Sequence, residues 1–96
     1  MMARTSLSML MDQRAECRRA LAELSRALAE VQSELRDWQP ERTARGKDAP
    51  QSLRALWTDL EELERSLVQR WLAMDVTRRS LDRAIVAHLR ERPMAS

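Results

Sequence analysis

Apolar residues recur every three or four positions through the first forty residues, which is the spacing of one face of an α-helix. They fill nearly all the a and d positions of successive heptads: Leu7, Leu10, Cys17, Leu21, Leu24, Leu28, Val31, Leu35 and Trp38. Arg14 is the one charged residue in this stripe. Because a stripe this narrow is stable only when another helix covers it, the pattern predicts one long helix with a helical neighbour.

The pattern is interrupted between residues 40 and 49. Pro40 disfavours helical geometry in the residue before it, and Gly46, the single glycine, suits the left-handed position at which many helices end. Three hydroxyl residues are suitable N-caps for the first helix: Thr5, Ser6 and Ser8. Pro50 is well placed in the first turn of a second helix, and Pro93 would end it.

These signals predict a single helical-hairpin domain over residues 1–96, with a helix over 6–39, a turn over 40–49 and a helix over 50–92. The second helix could be broken near Asp75, a residue that could cap a separate third helix. No glycine or proline enforces a break there, so a continuous helix is favoured.

The second helix has a less regular apolar stripe than the first. The predicted contact positions are Leu53, Leu56, Leu60, Leu63, Leu67, Trp71, Met74, Leu81, Ile85 and Leu89, with Arg78 interrupting them. The two successive steps of four around Leu67 amount to a stutter, which would locally unwind a supercoil. The predicted fold class is therefore all-α, an antiparallel helical hairpin.

A fold at residues 40–49 would set the pairing of the two helices. Facing positions should sum to about 88, which pairs Leu35 with Leu53 and Cys17 with Trp71. Arg14 and Arg78 would then lie in the same open end of the hairpin. Two buried like charges are costly unless they are paired or hydrated, and the nearest acids are Asp12 and Asp75. We therefore expect the open end to be hydrated, frayed or completed by a partner.

The second helix carries more apolar residues than a hairpin can cover. The extra positions, with one on the first helix, form the predicted partner-binding set: Trp57, Val68, Leu72, Val76, Val86 and Met11. A helix that is apolar on more than one side is usually buried on more than one side. We therefore expect a homodimer that forms a four-helix bundle, a partner helix from another protein, or a third helix that folds back.

Composition agrees with a long-helix protein: charged residues make up 33% of the chain and aromatic residues only 3%. The net charge of +2 is too small to indicate nucleic acid by itself. A C-terminal basic stripe, Arg79, Arg83 and Arg90, could follow phosphates, but a solvated helix face explains it better, so nucleic acid is an unlikely partner.

The single cysteine, and the lack of a signal peptide or an apolar span, predict a cytoplasmic protein.

Enzyme chemistry has little support in the sequence. The chain has one histidine, His88, one cysteine and one glycine. The sequence therefore lacks the residues for a metal cluster of histidine and cysteine ligands, and it lacks those for a glycine-rich phosphate loop. Cys17 occupies a d position, where a small apolar side chain is expected. We predict a non-enzymatic protein without a cofactor.

The helix LMDQRAECRRALAELSRALAEVQSEL, the Pro/Gly turn and the second helix LRALWTDLEELERSL together resemble small coiled-coil accessory proteins of bacterial type III secretion. The resemblance covers residues 7–67 and includes hairpin chaperones or co-chaperones of needle or filament subunits, and antiparallel coiled-coil stalk proteins. Stalk proteins are usually longer, which favours the chaperones. The resemblance implies a cytoplasmic protein whose exposed groove shields an aggregation-prone partner helix.

Overall fold

The computed structural model describes residues 6–91 and has two long helices joined by a short connection. Helix α1 spans Leu7–Arg45, a single 3₁₀ turn follows at Gly46–Asp48, and helix α2 spans Gln51–Arg90. Contacts such as that between Arg14 and Asp82 show that the two helices run antiparallel. The described part of the chain contains no strand, so the predicted all-α helical hairpin is confirmed.

The first helix begins and ends at two of the predicted signals. The Ser6 hydroxyl accepts a hydrogen bond from the backbone N–H of Met9 at 3.2 Å, which satisfies one of the free donors of the first turn. At the other end Gly46 has a φ of 49° and its N–H bonds to the carbonyl of Arg42. A side chain at this φ would be strained, so the single glycine marks the position where the chain turns.

The predicted end of α1 at residue 39 is wrong, because the helix continues through Pro40 to Arg45. Proline in a helix interior costs up to about 3 kcal/mol, so other contacts must offset it. Arg42 pairs with Glu61 of α2, and its guanidinium lies 5.9 Å from the ring centroid of Trp57. These contacts require helical geometry beyond Pro40, because Arg42 occupies the next a position after Leu35.

The longer first helix changes the pairing across the hairpin. Trp71 donates a hydrogen bond to Ser25 at 2.9 Å, whereas the predicted pairing placed Trp71 opposite Cys17. The observed partners sum to about 96 rather than 88, a shift of about one heptad. A shift of one heptad keeps every a and d position in the interface, so the apolar pattern alone does not distinguish the two pairings.

The contact positions of α1 are confirmed, while those of α2 differ from the prediction. Every predicted position of α1 from Leu7 to Trp38 is buried or half-buried. On α2 the contact positions repeat at regular heptad spacing, without a stutter. They include the buried Trp57, Leu67 and Ile85 and the half-buried Glu64, Trp71 and Arg78. Leu56, Leu63 and Leu89, which were predicted to be contacts, are exposed. Burying Trp57, whose side chain has about 150–250 Å² to cover, favours this contact side over one that would cover the leucines.

Helix α2 is continuous through Asp75, which confirms the favoured prediction. The predicted end of this helix at residue 92 lies outside the described residues, and the helix as described ends at Arg90 with Glu91 as its C-cap. Pro50 precedes the first turn of α2 and takes the N-cap position.

The hairpin is a single layer of helices. Its dimensions are 74 × 27 × 14 Å, and the smallest of these is little more than the diameter of one helix, about 10–12 Å. Both broad faces therefore meet solvent, and each helix is covered from one side only. As a result no described side chain is completely buried, and the apolar residues outside the contact positions stay exposed.

Candidate partner-binding surface

A network of five charged residues crosses the open half of the hairpin. Asp82 accepts hydrogen bonds from Arg14 of α1 at 2.6 Å and from Arg78 of its own helix at 2.8 Å. Asp75, only 7% exposed, accepts a bond from Arg78 at 2.9 Å and pairs with Arg79 at 3.1 Å. The two arginines within the apolar stripes are thus paired within an ordered helical end: Arg78 with Asp75, one of the two acids named from the sequence, and both arginines with Asp82, which was not named.

The network fixes the charge state of its central arginine. The pKa of Arg78 is raised above its ordinary value, chiefly because the Asp75 carboxylate accepts its hydrogen bonds. The negative charges of Asp75 and Asp82 act in the same direction, while partial burial acts against them. A base whose pKa rises on folding stabilises the fold at every pH below its ordinary value. The stabilisation from Arg78 therefore persists across the whole range in which proteins are handled.

Four of the six predicted partner-binding residues are exposed apolar side chains. Leu72 is 54% exposed and Val76 is 64% exposed, and Val86 and Met11 are also exposed. Val68 is half-buried. Leu72 and Val76 lie outside the contacts between the two helices and keep their surface available to another molecule.

Because α2 is continuous, the apolar and basic residues predicted separately fall on one stripe. Steps of three and four residues keep successive side chains on the same side of a helix. The stripe, called here the lateral face of α2, consists of Val68, Leu72, Val76, Arg79, Arg83, Val86 and Arg90. It is apolar in its first half and mainly basic in its second half, so a partner would meet both kinds of side chain.

Trp57 does not belong to this surface, and its assignment as a partner-binding residue is wrong for the hairpin. It is only 5% exposed and packs edge-on against Trp38, with the ring centroids 6.2 Å apart. Its indole nitrogen is buried without a hydrogen-bond partner among the described residues. Trp57 is therefore a core residue that joins the two helices near the turn.

The sequence pattern missed a second exposed apolar pair on α2. Leu56 and Leu63, predicted to be contacts, are one heptad apart and both are exposed. Helical geometry places them on the flank of α2 opposite to Leu72. The signal that could have found them is the regular heptad spacing of Trp57, Trp71 and Ile85, which fixes the contact side of the helix.

The predicted basic stripe is exposed but is partly neutralised. Arg79 pairs with Asp75, whereas Arg83 and Arg90 have no ion pair within the described residues. Asp82 and Glu91 adjoin Arg83 and Arg90 along the chain. Phosphate binding depends on uncompensated positive charge, and two free arginines supply little of it.

No group of three or more potential metal ligands occurs in residues 6–91. Cys17 is buried in the helix interface, as expected for a d position, and His88 is half-buried near the end of α2. Within the same range no helix is both long and apolar enough to cross a bilayer. The lateral face of α2, by contrast, presents exposed apolar side chains to which a partner could bind.

Comparison of the chain with protein-family models, with curated proteins and with solved structures found no significant match.

Proposed function

We propose that this protein is a non-enzymatic interaction module that buries the lateral face of α2 against an amphipathic helix. The observation that carries the proposal is the exposure of Leu72 and Val76 on a hairpin only one helix thick. Isolated exposed apolar residues are normal on proteins. Here, however, they follow one another along one side of a long rigid helix, which is how helix-in-groove partners are recognised.

The energy available from this face is modest. Burying an aliphatic side chain completely contributes about 1.5–3 kcal/mol, and Leu72, Val76 and Val86 have roughly half of their surface left to bury. Together they offer about 3–4 kcal/mol. Further contacts along the helix would have to offset the entropy lost on association. This face alone would give a dissociation constant of about 1 mM or weaker, so tighter binding requires apolar contacts from the partner beyond these three side chains.

The resemblance to type III secretion chaperones gives a finer form of the proposal. In that form the hairpin shields a helix of a needle or filament subunit in the cytoplasm, and the subunit is the partner. This finer form rests on the resemblance alone. It predicts that a purified needle or filament subunit from the same organism remains monomeric and soluble for longer when the hairpin is present in equal amount.

The broader proposal can be tested with two double variants on the same helix. Leu72→Gln with Val76→Gln removes the apolar character of the lateral face, and Leu56→Gln with Leu63→Gln does the same on the opposite flank. All four side chains are exposed, so both variants should fold. The probes are a fluorescent copy of the chain itself and a labelled synthetic peptide with leucines at heptad spacing, followed by fluorescence anisotropy.

We expect the wild-type hairpin to bind at least one of the two probes. The Leu72/Val76 variant should lose that binding while the Leu56/Leu63 variant retains it. If the wild-type protein binds neither probe and does not bind a dye for apolar surfaces, the proposal is wrong. Equal loss of binding in both variants would place the binding surface somewhere other than the lateral face.

A further inference from the structure

An apolar groove runs between the two helices on one broad face of the hairpin. Leu67 and Met74 belong to its floor, and Ala20 of α1 and Thr77 of α2 belong to its walls. The groove accompanies residues 13–27 of α1. At about 1.5 Å per residue it is about 21 Å long, so about four turns of a third helix would fit along it.

The polar contacts between the two helices leave this groove free. Three such contacts occur among the described residues, and they join Arg14 to Asp82, Ser25 to Trp71 and Arg42 to Glu61. None of these six side chains lines the groove. A partner helix would therefore meet an apolar floor between small side chains such as Ala20, and small side chains at the contact allow helices to approach closely.

Two exposed leucines continue the groove toward the turn. Leu63 and Leu56 precede the groove residue Arg70 by one and two heptads, so all three lie on the same side of α2. Leu63 is 46% exposed and Leu56 is 40% exposed. One partner helix could therefore cover the groove and both leucines.

The α1 side of the same broad face is acidic. Glu16 and Glu23 line the groove, and Glu30, Glu34 and Asp37 follow them on the same side of α1 at helical spacing. All five side chains are exposed, and none forms an ion pair with another described residue. These five residues are termed here the acidic wall.

Part of the acidic wall has no nearby positive charge. Arg70 lies on the α2 side of the groove, and Arg19 and Arg26 follow Glu16 and Glu23 by three residues, so arginines can compensate the wall near the open end. Neither Glu34 nor Asp37, by contrast, has an arginine or lysine three or four residues away.

The uncompensated carboxylates repel one another. Glu30, Glu34 and Asp37 are separated by steps of four and three residues, a spacing at which like charges destabilise a helix. Cationic side chains of a partner would relieve this repulsion. The strongest demand for positive charge therefore lies directly across the groove from Leu63.

We infer that this groove is a second binding site, and that it takes a basic amphipathic helix of another protein. The apolar side of that helix lies in the groove and over Leu56 and Leu63, and its lysines or arginines face the acidic wall. The chain as a whole has a net charge of +2, so only the local charge of the wall favours a basic partner. The inference goes beyond the proposed function, because it uses the side of α2 away from Leu72 and selects the partner by charge.

Two labelled synthetic helices that differ only in charge test the choice of partner. Both carry leucines at the a and d heptad positions, and the flanking positions are lysine in one peptide and glutamate in the other. Fluorescence anisotropy at low ionic strength should show the basic peptide binding at least about tenfold more tightly than the acidic one. This advantage should shrink as salt is added, because salt screens exposed charges.

Two double variants with the same net charge test the acidic wall. Glu30→Gln with Glu34→Gln removes two charges from the wall, and Asp12→Asn with Glu62→Gln removes two exposed charges elsewhere. The first should weaken binding of the basic peptide about three- to tenfold, while the second should change it little. Because the first variant removes a like-charge pair, it should not destabilise the hairpin, and thermal unfolding checks this.

The leucine variants separate this site from the lateral face. Leu56→Gln with Leu63→Gln should weaken binding of the basic peptide, whereas Leu72→Gln with Val76→Gln should leave it unchanged. The reverse result would overturn the groove site while leaving the proposed function intact. Equal binding of the two peptides, or binding of neither, would also overturn it. Sedimentation of the wild-type protein is the last check, since self-association that is lost in the Glu30/Glu34 variant would show that the groove holds a second copy and not a basic partner.

Discussion

Two leucines on the same helix should lose very different amounts of stability on the same substitution. Leu67 is 5% exposed and lies in the contact between the helices, whereas Leu72, five residues later, is 54% exposed. Both are interior residues of α2, so the change in helix propensity on replacement by alanine is the same. Any difference between Leu67→Ala and Leu72→Ala therefore reports on burial.

The expected magnitudes follow from the packing. Replacing a buried leucine by alanine costs 2–5 kcal/mol, depending on how far the site can collapse. A single layer of two helices is open on both faces and can relax, so we expect about 2–3 kcal/mol for Leu67→Ala. For Leu72→Ala we expect no more than about 0.5 kcal/mol in the monomer, the usual range for a surface position.

Urea unfolding followed by circular dichroism measures both free energies, and it should be carried out at several protein concentrations. At low concentration only Leu67→Ala should lower the stability. If the lateral face binds a second copy of the chain, Leu72→Ala should also become destabilising at high concentration, because association stabilises the folded state by mass action. Equal destabilisation by the two variants at the lowest concentration would mean that the face assigned to the core is wrong.

Other substitutions test the turn and the ends of the core. Pro40→Ala should raise stability by about 1–3 kcal/mol, because the helix already passes through this position; a loss of stability in thermal unfolding would show that proline itself is needed there. Gly46→Ala should lower stability by about 1–3 kcal/mol through backbone strain alone, since its φ is 49° and nothing lies within 4 Å of an added Cβ; an unchanged melting temperature would contradict this turn geometry. Trp57→Ala should cost about 3–5 kcal/mol, but Trp57→Phe should cost much less, because it also removes the unpaired indole N–H; tryptophan fluorescence and urea unfolding distinguish the two. Replacing Arg78 by lysine should lower the melting temperature by a similar amount at pH 7 and at pH 9, because both side chains are charged at both values; a large difference between the two would show that another group in the network titrates there.

The apolar spacing of the first forty residues was sufficient to predict α1, its contact positions and the need for a helical neighbour. Ser6, one of three candidate caps, begins α1, and Gly46 takes the turn position that its residue type indicated, because both effects are local to the backbone. The end of α1 at residue 39 was predicted wrongly. The exposed character of Leu72, Val76, Val86 and Met11 followed from simple counting, since one hairpin can cover only one stripe on each helix.

Contacts between the two helices decided the length of α1 and the pairing of the helices, which the local apolar pattern could not predict. The contacts of Arg42 with Glu61 and Trp57 favour helical geometry beyond Pro40. The longer helix shifts the pairing of the two helices by one heptad, and the pattern of a and d positions is the same before and after such a shift. Independently of that shift, the contact side of α2 includes Trp57 and Glu64 and leaves Leu56 and Leu63 exposed. The physical reason is that a heptad repeat specifies which side of a helix is covered. Which residues of the other helix cover it is decided by large aromatic side chains and charge pairs, because these do not recur at every heptad.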